Sequence, residues 1–111
     1  MRATLKLAPE DPGVLSNLGL SYMLSNDLPK SEETLRRAYA RAASNPRVRT
    51  NLAVVVGLQG RLSEADTIVR AGLPEDQARA SAADLKQILA RREQARADKI
   101  TARGSPRSTP D

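Results

Sequence analysis

The sequence lacks histidine, cysteine, tryptophan and phenylalanine, and its aromatic side chains are Tyr22 and Tyr39 alone. Without His or Cys there is no Ser-His-Asp triad, no thiol nucleophile, no Cys/His zinc site and no disulfide. Two tyrosines do not make a platform for stacking bases, so an aromatic nucleic-acid reader is not expected. The longest strongly apolar run, residues 52–58, falls far short of the roughly 20 residues a membrane span needs. Residues 1–6 contain no continuous apolar region, so no signal peptide is read and the chain is expected to be soluble. The absence of cysteine is compatible with any compartment.

What is present is 111 residues, 40% apolar and mostly Ala and Leu. That suits one small domain of packed helices better than strands. The formal net charge is +5, and it is unevenly placed. From residue 86 onward Lys86, Arg91, Arg92, Arg96, Lys99, Arg103 and Arg107 face only Glu93, Asp98 and Asp111, a net of +4. Residues 98–111, which hold Pro106 and Pro110 and show no apolar periodicity, are expected to form a disordered basic tail.

Shifting the chain by 34 residues aligns it with itself without a gap. Pro12 falls on Pro46, Val14 on Val48, Asn17 on Asn51, Leu18 on Leu52, Leu24 on Leu58, Leu28 on Leu62 and Arg36 on Arg70. Between these identities lie the pairs Gly19/Ala53, Leu20/Val54, Asn26/Gly60, Ser31/Ala65 and Leu35/Val69. In the first copy Leu15, Leu18, Gly19 and Tyr22 have helical spacing, with Asp11 as a candidate N-cap and Pro12 in the first turn. Residues 25–27 supply a turn in which Asn26 can take the left-handed conformation. A second helix is expected over residues 28–43, with Leu28, Ser31, Leu35, Ala38 and Ala42 on one face. Gly19 is expected to let two helices approach closely; the alternative is a glycine tolerated in a helix at a cost of about 1 kcal/mol.

In the second copy Val48, Leu52, Ala53, Val55 and Val56 mark the first helix, and residues 59–61 the turn. Leu62, Ala65, Ile68 and Val69 mark the second helix, which Gly72 and Pro74 stop. A fifth helix, residues 75–97, turns Ala78, Ala82, Leu85, Ile88 and Leu89 inward and charge outward, the profile of a cap. Residues 1–11 read as the end of a preceding repeat, 12–45 as a first repeat and 46–74 as a second. Leu15 and Leu18, with Leu5 and Leu7, are then expected to lie partly uncovered. Either the chain is part of a longer array or that surface meets a partner.

The period of 34 and these residues resemble the tetratricopeptide repeat. Residues 14–22, 27–38, 45–53 and 57–61 are similar to the C-terminal part of TadD-type proteins of tight-adherence (Flp) pilus assembly. The resemblance implies an all-α helix-turn-helix solenoid and a non-catalytic scaffold in bacterial pilus or secretion-system assembly. It also implies association with the periplasmic side of the outer membrane. The sequence has no lipobox, so membrane attachment is expected only through an N-terminal lipid anchor that it lacks.

By the same resemblance, Ser16, Leu20, Met23, Arg47, Thr50, Val54 and Gly57 face a concave groove for a peptide or helix, with Asn17 and Asn51 beside them. Ser16, Leu20 and Val54 argue against a clamp for a C-terminal carboxylate and for an apolar contact surface. Alternatively, Asn17 and Asn51 cap backbone groups, and Leu20 and Val54 are ordinary helix residues. Glu32 and Glu33, adjacent on a helix, point apart and make no acid/base pair, while Glu64 and Asp66 read as an exposed face. No catalytic residue, cofactor or metal is expected. The competing function is attachment of the basic C-terminal region to nucleic acid or anionic membrane. Against it stands a solvated helix end whose cations match the helix dipole.

Overall fold

The computed structural model describes residues 11–104, with side chains through residue 99. All regular structure among these residues is helical: α1 Pro12–Leu24, α2 Leu28–Arg41, α3 Pro46–Leu58, α4 Leu62–Arg70 and α5 Glu75–Gly104.

The helix starts are written in the sequence. Pro12, Pro29 and Pro46 each occupy the first turn of a helix, where a missing N–H is not missed. The Asp11 carboxylate accepts from the Gly13 and Val14 amides at 2.7 and 3.4 Å. Asn45, at the matched position in the second copy, accepts from Arg47 and Val48 at 2.9 and 3.4 Å. Asp27 caps α2 through the Lys30 amide at 3.3 Å, but its counterpart Arg61 gives α4 no side-chain cap.

The turns match as well. Asn26 has φ 65° and Gly60 has φ 95°, the left-handed position that ends a helix. The amide of Asp27 then reaches back to the Tyr22 carbonyl at 2.8 Å, and that of Arg61 to Val56 at 3.2 Å. These bonds satisfy carbonyls that the helix ends would otherwise leave open.

Two boundaries differ from expectation. α2 stops at Arg41 because Ala42 leaves helical geometry with φ −146° and ψ 58°, freeing Asn45 to cap α3. α5 runs through Gly104, so the expected border at residue 97 between capping helix and disordered tail falls inside a helix. Residues 91–103 are rich in Arg, Ala, Glu, Gln and Lys, all strong helix formers, and nothing breaks them before Gly104. Gln94 and Asp98 add an i,i+4 hydrogen bond at 2.8 Å. The rest of the expected tail, residues 105–111, and residues 1–10 lie outside the described residues.

α1 pairs with α2 and α3 with α4, while α3 touches all four other helices. Its second half, residues 52–58, is accordingly buried on every side. Leu35, Leu52, Val55 and Val56 are fully enclosed at the centre, each contributing roughly 1.5–3 kcal/mol by leaving water.

The two matched helix crossings are packed differently. A Cβ on Gly19 would stand 2.5 Å from Leu35 Cγ, so the α1–α2 approach depends on bare backbone there. The buried Ser31 hydroxyl donates to the Gly19 carbonyl across the same crossing at 2.7 Å. In the second copy the corresponding residues are Ala53, Val69 and Ala65, all buried. One carbon moves from one helix to the other, and the pair of side chains keeps the same number of carbons.

Leu15 is 1% exposed, enclosed with Ala38 and Val48, and not uncovered as its place at the first helix suggests. The open apolar side chains of α1 are Val14, Leu18 and Leu24, at 48%, 41% and 61% exposure. Leu62, expected within a buried stripe, is exposed at the first residue of α4.

Candidate interaction groove

A cavity of about 570 Å³ opens between α1, α3 and α5. Met23, Val54, Ile88 and Ala95 give it an apolar floor. Thr50 and Asn51 bring two neutral polar groups from α3, and Arg91 and Arg92 form the α5 wall. A smaller space of about 160 Å³ shares Met23, Arg92 and Ala95 and continues toward the Asn26 turn beside Arg96 and Lys99. None of these lining residues is acidic or aromatic.

Local chemistry explains the shape. Met23 and Gly57 are matched positions at the ends of α1 and α3. A Cβ on Gly57 would meet the Leu89 methyl carbons at 2.8 and 3.0 Å, so α5 seats directly on α3 backbone there. Met23, with its longer side chain, is left to form floor in both spaces. Beyond the contact at Leu89, residues 91–99 of α5 stand along the opening.

The nine candidate groove residues are distributed unevenly. Met23, Thr50, Asn51 and Val54 line the cavity together. Ser16 is 2% exposed, and its hydroxyl receives the Asn51 amide at 3.1 Å, so it is consumed in the seam between α1 and α3. That bond also gives Asn51 a side-chain partner where a backbone cap was the alternative. Leu20 is half-buried and packs on the main core. Asn17 and Arg47 are exposed and do not line the cavity. Gly57, expected to face the groove, is buried under Leu89.

Ile88, Arg91, Arg92 and Ala95 were not among the expected groove residues. Their signal lies in the spacing of Ile88, Arg92, Ala95 and Lys99, one face of a helix that continues past residue 97.

A separate ionic cluster joins the two copies. Glu32 accepts from Arg36 on its own helix at 2.8 Å, from Gln59 at 2.8 Å, and from Arg61. Glu64, expected to be part of an exposed face, binds Arg36 at 2.7 Å and Arg61 at 3.2 Å. Burial opposes ionisation of Glu32, but hydrogen bonds from Arg61, Arg36 and Gln59 outweigh it and hold the carboxyl below its usual range. Hydrogen bonding to Glu64 raises Arg36 further above its ordinary value. Arg70 and Asp66 repeat the Arg36–Glu32 pair at 2.8 Å, without the cross-link.

Among the described residues no group of three or more carboxylates is placed to hold a metal ion, and no helix is long and apolar enough to cross a membrane. Comparison with known proteins gives no matching family model, no matching curated protein and no matching solved structure.

Proposed function

We propose that this chain is a non-catalytic tetratricopeptide-type scaffold that binds a segment of another protein in the groove between α1, α3 and α5. The observation that supports this reading is the recurrence at 34 residues of whole structural devices. The caps Asp11 and Asn45, the left-handed turns Asn26 and Gly60, and the small residues Gly19 and Ala53 recur in register. A helix pair that repeats in this way stacks on its neighbour, and the array presents the first helix of each pair along one side.

The finer assignment, to tight-adherence pilus or secretion-system assembly, rests on the resemblance of residues 14–22, 27–38, 45–53 and 57–61 alone. It names a testable partner, the outer-membrane pore subunit of such a system. Co-elution of the full chain with that subunit is expected. Thr50→Glu with Ala95→Glu, at partly open groove positions, should abolish it, whereas Ala83→Glu elsewhere on α5 should not. Co-elution unchanged by the groove variant overturns the groove reading, and no co-elution overturns the pilus assignment. The competing reading, attachment through phosphates, requires direct binding to duplex DNA or anionic vesicles that weakens steeply with salt.

A further inference from the structure

Resting on the groove reading, we infer that the segment the groove takes is acidic and amphipathic, with apolar side chains toward Met23 and Val54 and carboxylates toward α5. The floor and the wall make different demands. Met23, Val54, Ile88 and Ala95 offer apolar surface, which favours aliphatic side chains and gives little to a sugar-phosphate backbone. Arg91 and Arg92 line the same cavity, and Arg96 and Lys99 line its continuation.

The charge is not balanced at the opening. Among the described residues, Arg96 lies 3.6 Å from Glu93, and the nearby Asp98 is engaged by Gln94. Among the described residues, no carboxylate lines either space and none is paired with Arg91 or Arg92. A guanidinium rim over an apolar floor complements a partner with aliphatic and carboxylate groups on adjoining faces. The absence of any aromatic lining residue removes the stacking that single-stranded nucleic acid uses.

The test uses the full chain and a fluorescently labelled amphipathic peptide of about four helical turns, leucine on one face and glutamate elsewhere. Binding is expected by anisotropy, about tenfold weaker when the peptide glutamates become glutamine. Arg91→Gln with Arg92→Gln should lose about tenfold for the acidic peptide and little for the neutral one. Arg79→Gln with Lys86→Gln removes the same charge outside the groove and should change binding much less.

Several results would overturn the inference. These are no binding of the acidic peptide, equal binding of the two peptides, or equal losses in the two double variants. Polyglutamate binding as well as the amphipathic peptide would show that the floor is idle. Displacement by phosphatidylglycerol vesicles or duplex DNA at lower concentration than by the peptide itself would assign the rim to phosphates. Equal binding of both peptides, lost in Thr50→Glu with Ala95→Glu, removes the acidic partner and leaves the groove reading standing.

Discussion

α1 and α3 are matched helices of 13 residues, each opening with a capped proline, yet they live in different surroundings. Val14 and Leu18 of α1 are about half exposed, while Val48 and Leu52, the same residue types one period later, are fully enclosed. The difference comes from neighbours among the described residues: α3 has a helix pair on one side and α4 and α5 on the other, whereas α1 has α2 and α3. Identical side chains at matched positions therefore carry unequal energies, and self-similarity of sequence does not measure contribution to stability.

The widest gap should come from Leu52→Ala against Leu18→Ala. The first leaves a core void and costs about 2–5 kcal/mol; the second, at an open site, stays below about 1 kcal/mol. Urea unfolding midpoints decide it, and equal losses would mean that α1 is as enclosed as α3.

The crossings offer a sharper contrast. Gly19→Ala places a methyl against the enclosed Leu35, for a net cost of about 1–2 kcal/mol once the helix propensity of alanine is credited. Adding Leu35→Val gives the first crossing the Ala/Val pair of the second, with Ser31 kept, and should recover most of that loss. A double-mutant cycle with no coupling would refute the volume exchange.

Caps come next. Asn45→Ala and Asp11→Ala each remove a side-chain acceptor and should cost about 1 kcal/mol. The Asn45 change should lower the melting temperature more, because α3 carries the shared core.

The smallest effect belongs to pH. The folded Glu32 carboxyl titrates below its unfolded value of about 4.3. Its contribution is therefore complete above that value and is lost as pH falls through the lower, folded value. Glu32→Gln should flatten the acid limb of the stability curve below about pH 5. An unchanged limb would mean that the cross-link between the copies carries no net ionic stabilisation.

Much of this architecture could be read from local residues. Asp11, Pro12, Asn26, Pro46 and Gly60 act within one or two turns, so their geometry follows from their own chemistry. Gly19 was legible because its counterpart is also small. The groove was legible only in part. Met23 on α1 and Thr50, Asn51 and Val54 on α3 stand at positions that the resemblance turns toward a groove, whereas the spacing of Ile88, Arg92, Ala95 and Lys99 defines a face of α5 but not how that helix seats on Gly57. Ser16 shows the same limit, since its partner Asn51 lies 35 residues away. The Glu32 cluster spans separations of 27 to 29 residues between α2 and the α3–α4 turn, beyond the reach of any local spacing.

The contact of Leu89 with bare backbone at Gly57 makes α5 a lever. From that seat the helix continues 15 residues to Gly104, roughly 22 Å at 1.5 Å per residue. A methyl group on Gly57 that tipped the rod by about 5° would carry its far end through about 2 Å. Arg92, Arg96 and Lys99 ride on that arm at increasing distance from the pivot. A substitution at one buried glycine, which touches nothing in the groove, would thus retune the spacing between its charged wall and its floor.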